Sequence, residues 1–211
     1  MVPESVRIKF RKTGRLRYIS HLDLDRTVRT ALVRTKIPVW YTEGFNPHAK
    51  MVFAQPLPLF AESECEYLDI KITEKMPFEE IRDRLRSAFT DELYVTEVYT
   101  PKDKFTDIAY AEYRISGDFD IKKDRIDELL SADINIVKKT KSGEKNVNIR
   151  PQIKSLTLTD DGTLCAVLDA SGASYLNPDI LCRALFSADT DYLITRTGWF
   201  KEENGELKEF I

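Results

Sequence analysis

Val6 to Thr35 reads VRIKFRKTGRLRYISHLDLDRTVRTALVRT, and its hydrophobic period changes once along the way. Val6-Arg7-Ile8-Lys9-Phe10 alternates apolar and basic residues, the period of a half-buried strand. Gly14 interrupts it. Ser20 and Asp23 then form a variant of the capping box, with the serine hydroxyl placed to accept from an orphan backbone N–H and an acid three residues on. Leu24, Val28, Ala31, Leu32 and Thr35 share one helical face, while Arg26 and Arg29 lie off that stripe and close to each other. Pro38 ends the helix. The stretch therefore predicts a strand followed by a capped helix.

Working outward, Val39-Trp40-Tyr41 is a short strand-like run. Thr42 to His48 is a loop built from chain breakers, and Met51 to Ala54 is a further strand. Glu66 to Thr73 alternates as EYLDIKIT. Pro77 opens a helix whose face holds Phe78, Ile81, Leu85 and Phe89, and Leu93 to Tyr99 is a strand. With its extended proline-bearing insertion, this order is that of a βαββαβ unit. The polar run 101–107 marks a boundary.

Beyond it come a strand at Tyr110–Ile115, a helix carrying Ile126, Leu129 and Leu130, and strand-like Ile134–Val137. A turn at Ser142-Gly143, Val147–Ile149 and a hairpin around Asp160-Asp161-Gly162 follow. A helix capped by Asn177-Pro178 and a final strand from Tyr192 to Phe200 complete the order. The expected class is α+β, with two ferredoxin-like halves, residues 1–100 and 108–211, the second with an extra hairpin. Such a duplicated architecture resembles, at the level of fold alone, the RAMP proteins that process CRISPR RNA.

The chain has 211 residues, 42% of them hydrophobic, and its formal net charge is −3. No apolar run is long enough for a membrane helix, and MVPESVRIKF lacks the apolar core of a signal peptide. Three widely spaced cysteines form no C-x-x-C, so a reduced, cytoplasmic protein with neither disulfides nor a zinc knuckle is expected. The near-neutral total hides an asymmetry. Residues 1–60 carry eleven Lys and Arg against four Asp and Glu, and the remainder carries the compensating acid. A basic segment of this kind points to an anionic partner.

Both histidines, His21 and His48, fall in that segment, with Asp23, Arg26, Arg29, Glu43, Asn46 and Lys50 nearby in sequence. Three chemical readings are open. The cluster grips an RNA phosphodiester; or His48 and His21 act as general acid and base on one; or His21, Asp23 and His48 ligate a metal, for which the spacing is poor. Equally, Ser20 to Asp23 is simply a helix cap and the loop a turn. Arg150 and Arg196 are weaker anion-contact candidates, set against pairing with the chain's own acids. Tyr18, Tyr41 and Phe45, interleaved with cations, suit base stacking as well as they suit a core. The absence of G-x-x-x-x-G-K-[ST] and G-x-G-x-x-G argues against nucleotide hydrolysis and dinucleotide chemistry. The chain alone lacks the cysteine triad of a radical SAM cluster, and no cofactor is expected.

ISHLDL followed by EGFNPH, with the later NVNIRPQIKSL and RTGWF, resembles the radical SAM-linked protein family, domains found after or fused to cobalamin-binding radical SAM proteins. The resemblance implies a radical SAM partner and a role touching RNA, the ribosome or tRNA modification. It also carries His21, Asp23, Arg26, Glu43, Asn46, His48, Lys50, Arg150 and Arg196 as motif positions. Two departures stand out. Ala49 replaces a proline of the family pattern, which should loosen the loop, and Phe60 replaces a glycine, which questions a tight turn there. The leading expectation is an accessory or RNA-binding protein working with a separate radical SAM enzyme. The alternatives are a metal-independent ribonuclease-like enzyme and a protein–protein adaptor without nucleic acid.

Overall fold

The computed structural model describes residues 3–140, 143–172 and 174–211. The chain divides into two compact units, one ending at Phe105 and taking in Ile211, the other running Thr106–Phe210. The fold is mixed α+β with mostly antiparallel pairing.

The first unit contains β1 (Glu4–Lys12), α1 (His21–Arg34), β2 (Met51–Phe53), β3 (Glu62–Ile72), α2 (Phe78–Ala88) and β4 (Leu93–Tyr99). Within it, β1 pairs antiparallel with both β3 and β4, and β2 pairs antiparallel with β3, giving the order β4-β1-β3-β2. Strand alternation sends Val6, Ile8 and Phe10 to one face. There they meet Leu68, Ile70 and Ile72 of β3, Leu24, Val28, Ala31 and Leu32 of α1, and Ile81 and Leu85 of α2 in one buried cluster. Burying each such side chain stabilises the fold by about 1.5–3 kcal/mol before conformational entropy is counted. Ser5, Arg7, Lys9 and Arg11 therefore belong to the opposite face.

The second unit contains β5 (Tyr110–Gly117), α3 (Lys123–Ser131), β6 (Asn135–Thr140), β7 (Gly143–Asn148), β8 (Ile153–Leu158), β9 (Leu164–Asp169), α4 (Pro178–Leu185), β10 (Tyr192–Glu203) and β11 (Glu206–Glu209). Its main sheet runs β10-β5-β9-β8, again antiparallel throughout, and β6 and β7 form a separate two-stranded sheet. Counting only the four main strands, each unit places its fourth strand first, then its first, third and second. Buried Tyr113, Ile115, Ala166, Leu168 and Trp199 form part of the second unit's interior, with Ile126 of α3 and Leu181 of α4.

Three local expectations change. Val39 and Tyr41 make only isolated bridges, to Ile72 and Ala49, because Pro38 and the loop allow one paired residue at a time. The last strand continues to Glu203 and turns through Asn204 and Gly205, with φ of +55° and +83°, into β11. Asn-Gly is the preferred pair for a two-residue hairpin turn, so this signal was present in the sequence. Of the expected Ser142-Gly143 turn, Ser142 lies outside the described residues, while Gly143 has φ of +122°. Among the described residues no helix is long and apolar enough to cross a membrane.

Candidate functional site

Seven of the ten sequence-predicted site residues belong to α1 and the loop that follows it, and an eighth, Lys50, stands just after that loop. The helix begins as its cap dictates. The Ser20 hydroxyl accepts from the Asp23 N–H at 3.2 Å and donates to the Asp23 carboxylate at 2.7 Å, and Arg26 donates to the other carboxylate oxygen at 3.2 Å. The Ser20 hydroxyl, and then Arg26, hold the Asp23 carboxyl below its ordinary pKa.

Further along the helix, Arg29 makes a two-point ion pair with Asp25, at 2.6 and 3.1 Å, and donates to the Ala49 carbonyl at 2.7 Å. Arg29 therefore clamps the helix to the loop, its guanidinium engaged by groups of its own chain. His21, at the first position of the helix, meets the Phe53 ring edge-on at 5.0 Å.

The loop is closed at its neck. Tyr41 bridges Ala49, the Thr42 N–H donates to the His48 carbonyl at 2.9 Å, and the His48 N–H donates to the Thr42 hydroxyl at 3.1 Å. Ala49 is buried. The alanine in place of proline thus leaves the neck packed and hydrogen-bonded. Nδ1 of His48 lies 3.2 Å from the Asn46 carbonyl. The Thr42 hydroxyl lies at the same distance, 3.2 Å, from Nδ1, so the ring is held against the neck of the loop by both groups. Glu43, Asn46 and His48 are exposed, and Phe45 at the tip stands wholly in solvent. Lys50 extends over the Trp40 ring, 4.7 Å from its centroid.

A second group of residues, missed as site members, adjoins the start of α1. Gly14 adopts φ of +61°, and a Cβ there would press on the Glu92 side chain at 2.5 Å, so only glycine fits without displacement. The Glu62 and Glu92 carboxylates accept from the Gly14 and Arg15 N–H groups. They fix a short 3-10 turn, Gly14–Tyr18, that displays Arg15, Arg17 and Tyr18. Arg17 stacks over the Tyr18 ring at 4.9 Å. The Phe60 ring meets Tyr18 edge-on at 6.0 Å, and its N–H donates to the Arg17 carbonyl at 2.8 Å. Phe60 has φ of +70° and is 62% exposed. The left-handed turn that glycine would favour is kept, although the residue is a phenylalanine. The strained turn is held by the ring contact with Tyr18 and the hydrogen bond to the Arg17 carbonyl.

Arg150 and Arg196 lie in the second unit, away from these elements in sequence, and each is spent on its own chain. Arg150 donates to the Leu130 and Ile153 carbonyls at 2.6 and 2.9 Å. Arg196 is wholly buried, with its guanidinium 4.2 Å from the Trp199 ring centroid and donating to the Tyr113 hydroxyl. Both are engaged within the second unit, and these contacts do not bring either together with the residues of α1 and its loop. The basic count of residues 1–60 shrinks for the same reason: Arg7 and Lys12 are buried, and Arg7 pairs in two-point fashion with Asp69. Arg15 and Arg26 remain as strongly exposed cations, their side chains 91% and 75% accessible. Among the described residues no group of three or more His, Cys, Asp or Glu side chains is placed to hold a metal ion.

This constellation sets cations and aromatics side by side around the start of α1. The chain belongs to the bacterial family described as "Uncharacterized protein conserved in bacteria (DUF2344)", whose model matches residues 5–178. No curated protein matches the chain.

Proposed function

We propose that this protein is a cytoplasmic RNA-binding accessory that works beside a separate radical SAM enzyme in RNA or ribosome-related modification. The observation that carries the RNA reading is the surface at the start of α1. Tyr18 and Phe60, both more than half exposed, stand edge to face, with Arg17 stacked on the tyrosine. Arg15 and Arg26 flank Tyr18 in sequence, and the loop aims Phe45 into solvent. Exposed rings among cations are what unpaired bases and phosphates recognise together, each stacked base contributing about 1–3 kcal/mol. Support for the radical SAM partner comes from the ISHLDL and EGFNPH motifs. We also read each unit as a ferredoxin-like half of a duplicated, RAMP-like architecture. The shared strand order, fourth-first-third-second in both units, supports that reading.

The test is retention of labelled single-stranded RNA at low salt by the intact protein and by Tyr18→Ala/Phe60→Ala. The reading expects wild-type binding and a loss of tenfold or more in the double variant, about 1.4 kcal/mol or greater. Absence of wild-type retention overturns it and leaves an adaptor that docks on protein. One observation favours a second reading. His48 is exposed on the loop, its ring oriented by the Asn46 carbonyl and the Thr42 hydroxyl at 3.2 Å each, where a general acid or base can reach a bound strand. RNA cleavage in the presence of EDTA, abolished by His48→Ala, would establish that enzyme, and intact RNA would exclude it.

A further inference from the structure

On the face of the first unit's sheet turned away from the helices, a cavity of about 410 Å³ is lined by four lysines: Lys50, Lys71, Lys102 and Lys104. Two carboxylates share it, Asp69 and Asp103, and both are engaged within the protein. Asp69 takes the two-point pair with buried Arg7, whose guanidinium lies 4.4 Å from the Phe105 ring, and the Asp103 carboxylate accepts from the Ile211 N–H at 2.9 Å. Lys50 and Lys71 are both held over one group, the Trp40 ring, at 4.7 and 5.3 Å. Neither has a carboxylate within ion-pair distance among the described residues. A ring face orients an ammonium group without neutralising it. Lys50 and Lys71, gathered over one ring, therefore keep a positive field on their side of the cavity. Lysine is also a donor suited to phosphate as a point charge.

We propose that this cleft binds a phosphate ester, with the lysines on its charged end and the Val52 and Phe105 side of the cavity against its organic part. The volume lies within the range of small-ligand sites, roughly 300–1,000 Å³, and so accommodates a nucleotide rather than a bare ion. The nucleotide is either free or one unit of a strand. The cleft is separate from the Tyr18–Phe60 surface, so the two fail independently.

Two probes distinguish the sources. Adenosine 5′-monophosphate is titrated into the intact protein by Trp40 fluorescence, Trp199 being buried and insensitive, and a short labelled oligouridine is titrated by anisotropy. Each is repeated with Lys102→Glu/Lys104→Glu, which alters only exposed side chains, with Lys71→Glu, and with Arg17→Glu/Arg26→Glu. Saturable nucleotide binding at about 1 mM or tighter, weakened tenfold or more by both lysine variants and unchanged by the arginine variant, identifies a free nucleotide. Oligouridine binding weakened to that extent by the lysine variants, without nucleotide saturation, identifies a strand. If neither lysine variant alters either probe, the proposal is overturned, whatever the arginine variant shows for the RNA reading. Thermal melts of the variants confirm that each is folded.

Discussion

At the scale of the residue, Phe60 is the position where local physics and sequence disagree most. A left-handed backbone costs a non-glycine residue about 1–2 kcal/mol, and an exposed ring recovers little of that by burial. Replacing Phe60 by Gly and by Ala removes the ring in both cases and isolates the backbone. Phe60→Gly should be the more stable of the two by about 1 kcal/mol in urea denaturation, and equal stabilities would show that the turn is unstrained. Ser20 belongs to the same scale. Ser20→Ala removes the cap and should cost about 1 kcal/mol of stability, read from the same experiment. The cap was legible from Ser20 and Asp23 alone, because capping is local. The fates of Arg7, Arg29, Arg150 and Arg196 were not. An arginine in a basic run looks the same in sequence whether it faces water or pairs with a carboxylate sixty positions away, as Arg7 does with Asp69. Phe60 was visible as a departure from a family pattern, but its retained turn depends on the contact with Tyr18 and the Arg17 carbonyl.

At the scale of the element, periodicity located α1, α2 and most of the strands, because each buries one face and alternates accordingly. It failed at Val39–Tyr41, where three apolar residues between a proline and a polar loop lack partners for a ladder. It also stopped short at the chain's last hairpin, where β11 is too polar to show alternation and only the Asn204-Gly205 turn announces it. That hairpin carries the clearest pH signature of the molecule. Lys208, and then Lys201, hold the Glu203 carboxyl down at about 2 from an ordinary value of 4.5. A depressed carboxyl stabilises the folded state fully above its unfolded pKa and loses that effect as pH falls through the folded one. The β10–β11 hairpin should therefore weaken as pH drops from about 4.5 toward 2, seen as lower protection factors for the Glu206 and Lys208 amides that face β10. Glu203→Gln should remove the acid dependence assigned to this group. A Glu203 carboxyl titrating at its ordinary value by NMR would contradict the account.

At the scale of the whole molecule, each unit contains a buried thiol, Cys65 in the first and Cys182 in the second. Burial, and then the Asp179 carboxylate, push the Cys182 thiol up to about 12. Both thiols should resist a thiol-specific reagent at neutral pH until their own unit opens, so their labelling rates in rising urea report the two units separately. Labelling of Cys182 in native protein at the rate of a free thiol would contradict this. Charge distribution is also a property at this scale, and here the linear count misled in a specific way. The basic excess of residues 1–60 pointed to the correct stretch for exposed cations, but buried Arg7 and Lys12 and the internally paired Arg29 inflate it. Of the cations left, Arg11, Arg34, Lys36 and Lys50 are exposed, while Arg15, Arg17 and Arg26 are those that lie with Tyr18 and Phe60 around the start of α1. The RNA reading rests on that set, and counterion release gives it a quantitative signature. In a plot of log affinity for single-stranded RNA against log salt concentration, the wild-type slope should be clearly negative. Arg15→Glu/Arg17→Glu/Arg26→Glu should flatten it by about 2, at roughly 0.7 for each phosphate no longer neutralised. A wild-type slope near zero, or one that the triple substitution leaves unchanged, would contradict the claim that this surface binds RNA.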